Sequence, residues 1–172
     1  DGADAVMLSG ETSVGKHPVE VIKIMSRIIH EVEEKYESLY VKETMPDKTQ
    51  NRFITDSICF NVCRLAQRVD AKAIITMTHS GYTAYKISSQ RPKSNIFVFS
   101  SNRKLLSTLS LVWGVSTFYY DKTISTDHTI ADIIHFLKEN KLVKNKDLII
   151  NTASIPLVEG GKTNMLKLSY IE

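Results

Sequence analysis

The sequence predicts an α/β fold, an open five-stranded and mostly parallel sheet with helices on both faces and its last strand antiparallel at an edge. Three observations carry this. Runs at Ala73–Met77, Ile96–Phe99, Val115–Tyr119 and Asp147–Asn151 read as strands, the first as a buried strand of a parallel sheet and the second as wholly apolar. Segments with helical periodicity alternate with those runs, as parallel pairing requires. The last run, Thr163–Tyr170, follows Gly160-Gly161 through a loop that contains no helix, so it must return antiparallel to its neighbour.

Taken in order, Ala5–Leu8 has a short buried-strand pattern, and Ser9-Gly10-Glu11-Thr12 reads as a polar turn. Pro18 suits the first turn of a helix that runs to about Tyr36, with Val21, Ile22, Met25, Ile28, Ile29 and Val32 on one face. His30 flanks that face and carries no evident chemistry. This strand–helix unit has no adjacent strand to pair with, so its neighbours are expected upstream. The opening Asp1-Gly2-Ala3-Asp4, without an initiator methionine, likewise reads as a piece of a longer chain. Residues 37–50 carry charge, Pro46 and little periodicity, and are expected to link residues 1–36 to an α/β domain over 51–172.

That domain opens with a helix predicted over Asn51–Arg68, its apolar side being Ile54, Ile58, Val62, Leu65, Ala66 and Val69 with Cys59 and Phe60 adjacent. A helix from about Thr83 is closed by Arg91-Pro92. Ser100–Asn102 caps a helix through Leu105, Leu106 and Leu109, which Gly114 ends. Thr126 or Asp127 is expected to cap the helix carrying Ile130, Ile133, Ile134 and Leu137.

Ligands of such sheets bind beyond the carboxyl ends of the strands. Thr78-His79-Ser80-Gly81-Tyr82-Thr83 lies there, between an apolar strand and a helix start. Its hydroxyls, and a turn that Gly81 frees from a Cβ, suit a phosphate-sized oxyanion seat. An ordinary capped turn has the same composition. The loop 152–162 reaches the same end, and Lys162 there supplies a positive charge.

The totals exclude several classes. A formal charge of +3, from 22 basic and 19 acidic residues without a basic stripe, argues against a nucleic-acid partner. No apolar run approaches the roughly 20 residues of a membrane-spanning helix. Cys59 and Cys63 within an apolar helical pattern read as buried thiols of a cytoplasmic protein. No histidine has companions at metal-ligand spacing, and His79 beside Ser80 has no third residue to orient it. Neither phosphate-loop fingerprint is present. Binding without chemistry is what these residues support by themselves.

The run Gly2-Ala3-Asp4-Ala5-Val6-Met7-Leu8-Ser9-Gly10-Glu11-Thr12-Ser13, with Gly15 and His17-Pro18, resembles the last strand and turn of the pyruvate kinase barrel. Ala71-Lys72-Ala73-Ile74-Ile75, Thr78-x-Ser80-Gly81-x-Thr83-Ala84, Arg91-Pro92, Trp113-Gly114-Val115 and Gly161-x-Thr163-Asn164 are similar to that family's C-terminal domain. The resemblance implies phosphoryl transfer from phosphoenolpyruvate to ADP in the whole enzyme, with Mg²⁺ or Mn²⁺ and K⁺ as its cofactors. It implies no metal or other cofactor in this piece. The cations would neutralise charge on the moving phosphoryl group. Ser9, Gly10, Glu11 and Thr12 would supply only the rim of that site, with no catalytic residue in this chain and no activity of its own.

The same resemblance assigns regulation and assembly to the C-terminal domain. Thr78, Ser80, Gly81, Tyr82 and Thr83 would grip an effector phosphate, and the loop of Ser154 and Lys162 would be a second effector loop. Three departures matter. Tyr82 stands where the family often has arginine, Ser107 occupies another common arginine position, and Ile155 lies in the loop that often gives arginine or tryptophan. Few guanidiniums favour a monophosphate, a sugar monophosphate or AMP, over fructose 1,6-bisphosphate. Implied partners are the N-terminal barrel of the same polypeptide and further copies, a tetramer in the parent or a dimer for this piece. The helix 51–68 and the edge strand 163–170 are candidates for the contact between copies. The contrasting reading is a stand-alone, non-enzymatic α/β module that binds a phosphorylated ligand or a partner.

Overall fold

A computed structural model describes residues 2–35, 45–122, 125–155 and 161–172. Most of the expected linker, and Gly160, lie outside the described residues. Five strands form one sheet: β1 (Ala73–Met77), β2 (Asn95–Ser100), β3 (Val115–Tyr119), β4 (Leu148–Ala153) and β5 (Met165–Tyr170). Their order is β3-β2-β1-β4-β5. β1, β2, β3 and β4 pair in parallel, while β5 runs antiparallel to β4, with Ile150 opposite Leu168 and Ala153 opposite Met165. The predicted sheet is therefore the observed one.

The helices are α1 (Gly10–Ser13), α2 (Pro18–Lys35), α3 (Phe53–Arg68), α4 (Tyr82–Ser88), α5 (Arg103–Leu109) and α6 (Thr126–Glu139). Side chains alternate across the strands and so build two cores. On one face Ile74, Ile96, Val98 and Ile150 meet Cys59, Cys63, Ala66, Ala84 and Leu109 from α3, α4 and α5. On the other, Ile75, Phe97, Phe99 and Ile149 meet Ile133 and Leu137 of α6. Small residues let three helices approach closely on the first face. Aromatic bulk lets a single helix cover the second, where Phe118 lies 5.2 Å from both Phe99 and Phe136 between ring centroids.

Four local expectations need correction. Ala5–Leu8 joins no ladder among the described residues, and Met7 is 82% exposed, because a strand without a neighbour has nothing to bury it. The turn at 9–12 closes into the short helix α1, with the amides of Thr12 and Ser13 both donating to the Ser9 carbonyl. Ile54 points outward; Val62 and Ala66 of the expected face are buried and Ile58, Leu65 and Val69 partly so, and Thr55, Cys59 and Cys63 complete the buried side of α3. The cap of α6 is Ser125, whose hydroxyl accepts from the His128 amide, rather than Thr126 or Asp127.

Candidate functional site

The chain leaves β1 for β2 and β3 on one side of the sheet, and β4 then falls on the other. The loops after β1 and β4 consequently diverge at the carboxyl end, which opens a crevice. A cleft of about 350 Å³ occupies it, lined by Thr78, Ser80, Tyr82 and Thr83 from the first loop and by Ser154, Lys162 and Thr163 from the second. The N-terminal end of α3 closes the third side with Arg52 and Thr55.

The turn after β1 is fixed by Gly81, whose φ of +80° admits few residues with a side chain. A Cβ there would stand 2.8 Å from Leu105 Cδ1. The Gly81 amide donates to Thr78 Oγ1 at 2.9 Å, so the hydroxyl that opens the loop also braces it. Thr83 is buried and shares a 2.7 Å hydrogen bond with the hydroxyl of Thr163, whose carbonyl accepts from Thr55 Oγ1. Thr83 thus stitches the two loops together, while Ser80 is exposed to the cleft. Asn164 closes the neck of the second loop by bonding both the amide and the carbonyl of Ile155.

Tyr82 occupies the wall. Its hydroxyl donates to Asp56 Oδ1 at 2.8 Å, and the Lys86 ammonium lies 3.3 Å from Asp56 Oδ2. Burial, then the bond to Asp56, holds the Tyr82 phenol above its ordinary pKa. Burial pulls the Lys86 ammonium down, but the bond to Asp56 and its charge outweigh this and leave it raised. Asp56 is therefore already matched within the fold. The Arg52 guanidinium lies over the Tyr82 ring, 4.1 Å from its centroid, and the Lys162 ammonium donates to the Asn51 carbonyl at 2.8 Å. The cleft so combines two cationic side chains with several hydroxyls.

Of the anticipated residues, Thr78, Ser80, Tyr82, Thr83, Ser154 and Lys162 thus line one cleft, and Gly81 shapes the turn beside it. Arg52, Thr55 and Thr163 were not foreseen in it. One signal for Arg52 was available: a cation just before the first turn of a helix opposes the macrodipole, so its presence asks for another reason.

The structure keeps Ser9, Gly10, Glu11 and Thr12 away from this cleft. Ser9 caps the mostly exposed helix α1, which holds the other three, and Gly15 is needed just beyond it because a Cβ there would stand 2.0 Å from the Glu11 carbonyl oxygen. The adjoining segment docks beyond the far end of α4. There Arg91 Nη2 donates to the Gly2 carbonyl and the Asp4 carboxylate, and the guanidinium lies over Trp113. The Trp113 indole N–H in turn donates to Glu33 of α2 at 2.8 Å. No three His, Cys, Asp or Glu side chains among the described residues converge to hold a metal ion.

The chain matches the family described as pyruvate kinase, alpha/beta domain, over residues 56–169. It is 37% identical over 171 residues to a pyruvate kinase of Geobacillus stearothermophilus, covering 99% of this chain and 29% of that protein. A pyruvate kinase of Clostridium acetobutylicum is 34% identical, with 100% of this chain and 36% of the relative covered. The crystal structure of a Cryptosporidium parvum pyruvate kinase superposes with a TM-score of 0.82 at 27% identity, covering 99% of this chain and 34% of that one. The chain thus spans about a third of the length of these relatives and corresponds to their C-terminal part. By sequence and by fold, it belongs to the pyruvate kinase alpha/beta domain family.

Proposed function

We propose that this chain is the regulatory and assembly portion of a pyruvate kinase, and that the cleft between the β1 and β4 loops binds a phosphorylated effector. One observation carries the effector reading: at the point where strand order reverses, Arg52, Lys162 and the hydroxyls of Thr78, Ser80 and Ser154 line the same cleft. Two cations neutralise one phosphate dianion and leave a second phosphate largely uncompensated, which favours a monophosphate. The parent reaction would be phosphoryl transfer from phosphoenolpyruvate to ADP, supported by Mg²⁺ or Mn²⁺ and K⁺ held by residues outside this chain. Exposed α1 supplies no catalytic set, so the chain by itself forms no pyruvate. A cytoplasmic setting fits its two free, buried thiols, and no helix among the described residues is long and apolar enough to cross a membrane.

The test is a titration of the 172-residue chain with ribose 5-phosphate, glucose 6-phosphate, AMP and fructose 1,6-bisphosphate, following the amide resonances of Thr78–Thr83. Saturating shifts confined to the two loops are expected with a monophosphate. No shift with any of the four at millimolar concentration removes the effector reading and leaves assembly with a barrel as the function.

A further inference from the structure

We infer that Arg52 is the specificity-determining residue of the cleft, the guanidinium that takes the ligand's phosphate, and that its seat on Tyr82 selects a sugar phosphomonoester over a nucleotide. This rests on the effector reading above. Arg52 stands four residues before Asp56, the spacing at which an ion pair forms along a helix. Asp56 is only 8% exposed, however, and its two oxygens already receive the Tyr82 hydroxyl at 2.8 Å and the Lys86 ammonium at 3.3 Å. The guanidinium instead lies over the Tyr82 ring at 4.1 Å. Stacking of this kind holds the plane of the fork while its edge N–H groups stay free to meet two oxygens of one phosphate. Arg52 is itself exposed and lines the cleft beside Ser80 and Lys162.

The sequence lacks a cation at the centre of the loop after β1, because Tyr82 stands there. The structure supplies one through that same side chain, since Tyr82 presents a ring on which an arginine from α3 rests. The arrangement also decides what else the ligand can carry. A nucleobase binds chiefly by stacking on an aromatic ring. The Tyr82 ring already faces Arg52, and the Lys86 ammonium lies 5.6 Å from its centroid. Among the described residues the cleft's other ring is that of His79, which is exposed, and the rest of the lining is mostly hydroxyls that suit the hydroxyls of a sugar.

The experiment measures calorimetric affinity for ribose 5-phosphate and AMP in the wild-type chain and in Arg52→Ala, Arg52→Lys and Tyr82→Phe, with circular dichroism confirming each fold. Ribose 5-phosphate is expected to bind at least about tenfold more tightly than AMP. Arg52→Ala is expected to weaken ribose 5-phosphate by about 10- to 100-fold and Arg52→Lys by roughly three- to tenfold, as loss of a bidentate charged contact implies. Tyr82→Phe keeps the ring and should stay within about threefold. Wild-type binding that Arg52→Ala leaves unchanged overturns the assignment of Arg52 while the effector cleft stands. AMP binding as tightly as ribose 5-phosphate overturns the selection. An absence of binding by the wild-type chain overturns both readings.

Discussion

At the scale of single residues the cleft depends on groups that hold one another rather than on groups held ready for a ligand. Tyr82, Asp56 and Lys86 form such a unit, and Asp56 is the buried member that needs both partners. Tyr82→Phe removes one of the two donors and is expected to cost about 1 kcal/mol, since Lys86 still covers the carboxylate. Asp56→Ala leaves a half-buried phenol and an ammonium without their acceptor, and is expected to cost about 2–3 kcal/mol. Urea unfolding of the two variants checks the order. An equal effect of both would mean that the Lys86 ammonium adds nothing to the hold on Asp56. The sequence made Thr78, Ser80, Gly81, Tyr82 and Thr83 visible because they follow an apolar strand and precede a helix. It did not show that Thr83 would be consumed by Thr163, 80 residues away, since pairing of two loops is a property of strand order. Nor did it show Arg52, because periodicity tracks apolar positions and is blind to a cation just outside the helix.

At the scale of elements the sheet was legible almost throughout, because β1, β2 and β4 are buried on both faces and helices must lie between the parallel strands. The rotation of α3 was less legible. Counting large aliphatic residues selects a face through Ile54 and Ile58, whereas the helix buries the thiols of Cys59 and Cys63 against β1 and α4, where close packing favours small residues. The consequence is measurable. Burial, with the charge of Asp56 second, pushes the Cys59 thiol up to about 12, and burial with the neighbouring Cys59 raises Cys63 as well. An acid whose pKa is raised by folding stays protonated in the native state while the unfolded chain ionises. The unfolded state then binds fewer protons, so stability is intact below the ordinary thiol value of about 9 and declines as pH climbs from there toward about 12. The decline attributable to the thiols should be on the order of a few kcal/mol. The pair Cys59→Ala with Cys63→Ala should flatten the fall in urea stability between pH 8 and pH 11. A disulfide reagent at pH 8 should label neither thiol until urea unfolds the chain, and rapid native labelling would contradict the burial of this helix face.

At the scale of the whole molecule, two apolar surfaces remain uncovered among the described residues. On α2, Ile22, Ile24 and Ile28 are each at least half exposed, and on the edge strand β5, Leu168 is 41% and Tyr170 70% exposed. A long amphipathic helix with its apolar side in water is costly to leave bare, and an unpaired strand edge invites another strand. The two surfaces lie on different parts of the chain and call for different covers. Helix α2 belongs with the amino-terminal segment that Arg91 and Trp113 fasten to the sheet, so in an enzyme about three times as long the preceding residues would bury it. The edge β5 is the end of the sheet itself, and a second copy would cover it by extending the sheet across a two-fold axis. Sedimentation velocity of the 172-residue chain at tens of micromolar should therefore show a dimer. Leu168→Lys with Tyr170→Lys should return it to a monomer, because charge on an edge blocks strand addition while the β4–β5 ladder stays intact. The contrasting pair, Ile22→Lys with Ile28→Lys, should leave that dimer in place. If the α2 pair dissolves the dimer and the edge pair does not, the copies meet through the helix, and the edge strand loses its part in assembly.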